Sequence, residues 1–358
     1  MEKIYPALIT DILNTVRYPG NGKSLTENGM VEEIRIDGDK VSLAIVFDRQ
    51  ADPFAASTVR SAEATLKRAL GEEATVTVET RFKQQQPLKE EKPLKNVKYK
   101  IAVSSGKGGV GKSTVAANLA VALASQGFKV GLLDADIFGP SMPKMFGVED
   151  EGIYLVNQNG RDYIDPIEKY GVKMLSIGFV VDKSKAVVWR GTMASNALKQ
   201  LITDAWWGEL DFFVIDLPPG TSDIHLTTVQ TLDLDGALIV TTPQEVAMAD
   251  ARKGIEMFKN EHINVPVLGI VENMSWFTPL PHPEERYYIF GNGGGERLAK
   301  ETGVELLGQI PLVAEICEKA DCGTPVSLAL AAQQPSAVTA NPVAEAFRDL
   351  SVRLLSVI

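Results

Sequence analysis

From residue 30 onward, apolar positions recur in short runs, and the period of those runs changes partway along the chain. Val41, Leu43 and Ile45 are separated by Ser42 and Ala44, the period-two pattern of a half-buried strand. The segment before residue 80 predicts a small α+β unit, with a helical start, strands near Met30–Ile36 and Lys40–Phe47, a helix over Ala55–Leu70 and a strand over Ala74–Glu79. From Lys100 the apolar runs become continuous: KIAVSS, KVGLLDAD, DFFVIDLPP, GALIVTTP, VPVLGIVENM and ELLGQIP, with helical stretches between them. Strands alternating with helices predict an α/β fold, a doubly wound and mainly parallel sheet. The intervening RFKQQQPLKEEKPLKNVKYK is polar, carries Pro87 and Pro93 and shows no apolar period, so it reads as a linker. The expected organisation is a small domain over 1–80, a linker over 81–99 and the α/β domain over 100–358.

Composition narrows the partners more than the fold. Of 358 residues 45% are hydrophobic, ample for a packed core. A formal net charge of -10 leaves no overall positive field for phosphate backbones, so nucleic acid is not an expected partner. Met1–Leu13 lacks a basic start followed by an apolar core, and no run approaches the roughly 18 apolar residues of a membrane span. A cytoplasmic location without a membrane partner is therefore expected. Two cysteines, Cys317 and Cys322, exclude a disulfide framework and suit a reducing compartment.

The sharpest chemistry follows the strand Ile101–Ser105. Gly106, Lys107, Gly108, Gly109, Val110, Gly111, Lys112 and Ser113 fit G-x-x-x-x-G-K-[ST], and Thr114 begins a helical stretch. Glycines let backbone N–H groups turn toward phosphate oxygens, and the helix N-terminus adds partial positive charge. Lys112 is expected on the β and γ phosphates of ATP and Ser113 on Mg²⁺. The strand that ends Asp134-Ala135-Asp136 offers two carboxylates, Asp136 to orient the attacking water and Asp134 to support the Mg²⁺ shell. Asp211–Asp216 reads as a Walker B strand with Asp216 holding Mg²⁺, and Gly220 just beyond it is expected to donate its N–H to the γ phosphate as a switch.

The string KGGVGKST resembles the deviant Walker A signature of the MinD, ParA and nitrogenase iron protein group. That resemblance implies a homodimer in which Lys107 reaches the partner's nucleotide, and it implies that Asn273 pairs with adenine; a satisfied strand-end Asn is the alternative. A longer set of strings resembles the Mrp/ApbC iron-sulfur cluster carriers: GKGGVGKSTVAANLA, LLDADIFGPSMPKMFG, WRGTMASNALKQLI, DFFVIDLPPGTSD, VTTPQEVAMADARKGIEMF, VENMSWF and IFGNGGGERLA, spanning about 100 to 358. LTENGMVEEIRIDGDKVSLAIVF resembles the small iron-sulfur assembly domain often fused ahead of such ATPases. The resemblance implies slow ATP hydrolysis coupled to transfer of a cluster to apo-protein clients. It also implies a dimer face at Trp189-Arg190-Gly191 and Met193, with Trp206-Trp207 equally readable as core.

Two departures qualify what carries over. Ala51-Asp52-Pro53 stands where the small domain usually has Cys-Pro, and SWFTPLPHPEERYY has no cysteine where the family usually has a Cys-x-x-Cys pair for a bridging cluster. A [4Fe-4S] centre is usually held by four thiolates, so Cys317 and Cys322 from two subunits would supply that number, from an expected surface loop. Cysteines are also often small buried hydrophobes. His282 with Glu284 and Glu285 is a second candidate ligand group, and Gly291–Gly295 reads as a mobile hinge. Three functions stay open: an ATP-gated iron-sulfur carrier or scaffold, a metal-free ATP-dependent adaptor, and a MinD- or ParA-like positioning ATPase.

Overall fold

In the computed structural model, which describes residues 4–47, 52, 54–71, 74–82, 93–137, 139–158, 160–179, 191–279, 281–282, 284–332 and 341–358, the chain divides into two units, Met1–Glu91 and Lys92–Ile358. The first contains α1 (Pro6–Leu13), β1 (Val31–Asp37), β2 (Lys40–Phe47), α2 (Ala55–Leu70) and β3 (Thr75–Phe82). β1 pairs antiparallel with β2, and β2 pairs parallel with β3. The α2 crossover between β2 and β3 buries Ala62 and Leu66 with Leu43, Ile45 and Phe47 of β2 and with Ile9 and Leu13 of α1. Most of the expected linker, residues 83–92, lies outside the described residues, as do Ala51 and Pro53.

The second unit runs β4 (Val97–Ser104), α3 (Lys112–Ser125), β5 (Val130–Asp134), α4 (Met142–Met145), β6 (Tyr154–Gln158), β7 (Arg161–Asp165), β8 (Ile167–Lys169), β9 (Val172–Ser176), α5 (Gly191–Thr203), β10 (Leu210–Asp216), α6 (Asp223–Thr231), β11 (Gly236–Thr241), α7 (Glu245–Lys259), β12 (Val267–Phe277), α8 (Gly294–Thr302), β13 (Leu306–Leu312), α9 (Ala314–Asp321), α10 (Leu328–Ala332) and α11 (Pro342–Val357). Eight strands form one sheet in the order β13-β12-β11-β4-β10-β5-β9-β8. The neighbours are parallel except β8, which runs antiparallel to β9. Alternation along each strand divides its side chains between two cores. Ile101, Val103, Phe212 and Val214 join Val115 and Leu119 of α3 and Phe347 and Leu350 of α11. Ala102, Phe213 and Ile215 face Leu198 of α5, Ile255 and Phe258 of α7 and Leu298 of α8. Because both faces are covered, these strands read as continuous apolar runs rather than alternating ones.

The expected doubly wound sheet is present, with additions. β8 and β9 extend it, and β6 and β7 pair antiparallel as a separate hairpin. These strands span only three to five residues, so they leave too short a run to announce themselves. Trp207 is core: it is 1% exposed, packs edge-on against Phe213 at 4.6 Å and donates its indole N–H to the Leu201 carbonyl. Trp206 is only half-buried, against Tyr163. Met193 is exposed on α5, while Trp189 and Arg190 lie outside the described residues.

Candidate nucleotide site

Every group expected around the phosphates comes from the carboxyl ends of β4, β5 and β10, which register places side by side: Asp216 lies opposite Val103 on one flank and Asp134 on the other. In open α/β sheets this end of the strands is where ligands bind. The loop after β4 turns into α3 at Gly111, whose φ of +82 is unfavourable for any residue with a Cβ, and a Cβ there would also lie 2.2 Å from the Asn273 side chain. The start of the loop is equally constrained, since a Cβ on Gly106 would lie 2.1 Å from the Asp250 backbone in α7. Behind the loop, α3 is buried from Val115 to Leu123, by small and aliphatic residues apart from Asn118, which suits its place against the sheet.

The loop, with Asp136, Ser141, Met145 and Pro219, lines a cavity of about 230 Å³. Lys112 is 6% exposed, and its Nζ lies 2.5 Å from Asp216 Oδ1, 3.8 Å from Asp136 Oδ2 and 3.3 Å from Ser113 Oγ. One cation thus faces two carboxylates. Burial pushes the Asp216 carboxyl upward, and the Lys112 charge offsets part of that. Its other oxygen, Oδ2, is buried without a hydrogen-bond partner. Lys107 is exposed on the loop.

At three expected residues the structure shows a contact within the protein. Asp134 does not line the cavity. Its carboxylate accepts hydrogen bonds from the Met142 and Asp136 N–H groups and from Ser176 Oγ, so it braces the turn that carries Asp136 and Ser141. Burial, reinforced by the Asp216 charge, pushes its carboxyl up to about 7. Gly220 donates its N–H to the Ser105 carbonyl at 2.8 Å, so reaching a phosphate requires that bond to break. Asn273 donates its carboxamide to the Val110 carbonyl at 2.9 Å and so braces the phosphate loop from β12.

Elsewhere the expectations fare unevenly. Gly291–Gly295 is a packed joint rather than a hinge. A Cβ on Gly294 would lie 2.6 Å from the Pro243 carbonyl, and the Gly295 N–H donates to the buried Glu272 carboxylate, which also accepts from Gln309. Cys317 and Cys322 are exposed, which removes the buried reading, but Cys317 sits within α9 and Cys322 caps its end rather than lying on a loop. Five residues apart, they diverge by roughly 140° around the helix axis. His282, Glu284 and Glu285 bring ligand atoms within 4.8 Å of one another. Four supporting residues had no expected role: Ser105, Ser176, Glu272 and His225. Of these only His225 leaves a readable signal, as the third residue after Ser222 in a helix-capping pattern.

A glycine-rich loop between a parallel strand and a helix, with its lysine set between two strand-end carboxylates beside a cavity, defines a P-loop NTPase. The chain belongs to the family described as NUBPL iron-transfer P-loop NTPase, whose family model matches residues 96–350. A second family model, iron-sulfur cluster assembly protein, matches residues 7–79. An iron-sulfur cluster carrier protein of Synechocystis sp. is 42% identical over 334 residues, covering 93% of each chain. A protein of the same name from Deinococcus radiodurans is 40% identical over 348 residues, covering 96% of this chain and 95% of its own. Among solved structures, a nucleotide-binding protein of Archaeoglobus fulgidus in complex with ADP is 39% identical with a TM-score of 0.56, covering 64% of this chain and 88% of that one. The resemblance to the iron-sulfur carriers therefore holds at family level. No helix among the described residues is long and apolar enough to cross a membrane.

Proposed function

We propose that this chain is a cytoplasmic ATPase that assembles iron-sulfur clusters or delivers them to apo-protein clients, acting as a homodimer. The observation that carries the reading is the cavity lined by Lys112, Ser113 and Asp136, with Asp216 buried behind it and paired to Lys112, in a chain whose near full-length relatives are named iron-sulfur cluster carriers. Hydrolysis adds water to the γ phosphorus, breaks its bond to the β-γ bridging oxygen and yields ADP and phosphate. Asp136 is assigned to orient that water and take its proton. Lys112, now paired with Asp216, turns its ammonium to the phosphate oxygens, where it offsets charge gathering on the leaving group. Lys107 is assigned to reach across to the partner's nucleotide in the same role, and its exposure leaves it free to do so.

Mg²⁺ fits the residues present, because Asp216 Oδ2 is a buried acceptor without a partner and Ser113 lies beside Lys112 at the same end of the cavity. Held there by Ser113 and Asp216, the ion would supply charge neutralisation between the β and γ phosphates. Slow turnover suits a carrier in which the nucleotide sets one of two arrangements. The Gly220 N–H, bonded to Ser105 without phosphate and to the γ phosphate with it, is the contact that distinguishes them.

The cluster is cargo. With two cysteines per chain, four thiolates require two chains, so Cys317 and Cys322 are assigned to a [4Fe-4S] cluster bridging the dimer. The test is anaerobic reconstitution of the full chain, counting iron and sulfide per dimer and following visible absorption, with Cys317→Ala alongside. A cluster present in the parent and absent in the variant supports the assignment. No cluster in either leaves the metal-free ATP-dependent adaptor, and a cluster in both sinks the role of Cys317.

A further inference from the structure

His225 is fully buried at the third position of α6, the helix that follows the Leu217–Ser222 segment. Its Nδ1 accepts a hydrogen bond from the Ser222 backbone N–H at 3.2 Å and lies 3.2 Å from Ser222 Oγ. An acceptor at Nδ1 leaves the ring proton on Nε2. Nε2 lies 3.4 Å from Ser104 Oγ, on the last residue of β4 before the phosphate loop. Burial pushes the ring down to about 4, with the Lys112 charge adding to it, so it stays neutral and the tautomer is maintained.

The neighbouring bonds give this contact a purpose. Leu217 donates its N–H to the Val103 carbonyl at 3.0 Å and Gly220 donates to Ser105 at 2.8 Å, so the segment from Asp216 to Ser222 is stitched to three consecutive residues, Val103, Ser104 and Ser105. Only one of the three stitches must open for Gly220 to reach a phosphate. The Leu217 stitch continues the β10 ladder, and the His225 stitch is side chain to side chain at the far end of the segment.

We propose that His225 is the positioning residue for this segment, a fixed pivot that ties its far end to the phosphate strand through Ser104 while the Gly220 contact between them exchanges. The proposal rests on the ATPase reading above. If the pivot holds, Gly220 swings through a short arc and returns to register. Without it, the segment loses its register to the loop although the loop itself is intact.

The test compares the full chain with Ser104→Ala, His225→Asn, His225→Gln and the Ser104→Ala/His225→Asn double variant. Asn retains an acceptor for the Ser222 N–H but falls short of Ser104, whereas Gln carries a donor to about the position of Nε2. Expected are a kcat lowered about tenfold in Ser104→Ala and His225→Asn, ATP affinity within about threefold, partial recovery in His225→Gln and no further loss in the double variant. Amide exchange over residues 217–224, with and without a slowly hydrolysed ATP analogue, is followed in the same proteins. Nucleotide-dependent protection there should be lost in both single variants while the loop 106–114 stays protected. Turnover and protection unchanged in Ser104→Ala, or losses that multiply in the double variant, overturn the pivot. A parent protein that binds ATP without hydrolysing it overturns the ATPase reading alone, and the exchange data still decide the pivot.

Discussion

Adding one methyl group at Gly106 tests how the phosphate loop is held. The Cβ of Gly106→Ala would lie 2.1 Å from the carbonyl carbon and oxygen of Asp250 and 2.5 Å from the Ala251 nitrogen. Ordinary contact begins near 3.4 Å, so the two backbones must separate by about 1.3 Å (3.4 minus 2.1). The helix α7 cannot supply that movement, because Ala247, Met248, Ala251, Ile255 and Phe258 anchor it in the core. The loop must shift instead, and its N–H groups shift with it. Overpacking of this kind costs about 1–3 kcal/mol, and about 2 kcal/mol taken from binding is roughly a 30-fold loss of ATP affinity. Gly254→Ala in α7 is the control, since its Cβ would approach the same loop but meet only the Gly106 nitrogen, at 3.9 Å. Fluorescent-nucleotide titration and thermal melts read both variants. The expected result is a weakened, less stable Gly106→Ala beside a near-normal Gly254→Ala. A Gly106→Ala protein that binds ATP and melts like its parent would refute the reasoning.

Further expectations address other parts of the molecule. Lys112→Ala should abolish ATP binding in isothermal titration, whereas Lys107→Ala should keep binding and lose turnover; unchanged turnover in the latter removes the trans-acting lysine. Trp207→Ala should cost about 3–5 kcal/mol in urea unfolding, from a lost core ring, and Trp206→Ala well under half of that. Burial pushes the His225 ring down to about 4, against an ordinary value of about 6.5, so the folded state binds fewer protons between those values. Its contribution is therefore present above about pH 6.5 and is lost as pH falls toward 4, by up to on the order of 3 kcal/mol. Melts of the parent and His225→Asn at pH 7 and 4.5 should show the acid loss reduced in the variant, and equal losses in both would count against a buried neutral ring.

How much of the site could be read in advance depended on whether a residue's work is local. The loop Gly106–Ser113 does its work with its own backbone, so spacing along the chain is enough to recognise it. Asp136 and Asp216 were readable for a related reason, since each ends an apolar run and strand ends in such sheets face the ligand. Asp134 was less legible, because the same strand end also has to hold the next turn. Which carboxylate turns to the cavity depends on Ser176 and the Met142 N–H, 42 and 8 residues away. The glycines of Gly291–Gly295 looked like a hinge because glycine permits motion, but glycine also permits contact, and only the position of Pro243 and Glu272 distinguishes the two uses.

Fold class, phosphate loop and kinship with the carriers were thus legible along the chain, because apolar period, glycine spacing and long shared strings are properties of neighbours in sequence. Tertiary structure decided what those neighbours meet. It paired Lys112 with Asp216, closed α7 onto Gly106, bound Asn273 to the Val110 carbonyl and brought His225 within reach of Ser104, 121 residues earlier in the chain. Contacts of that kind depend on strand order and on which face each side chain takes, and no spacing within a single segment encodes them.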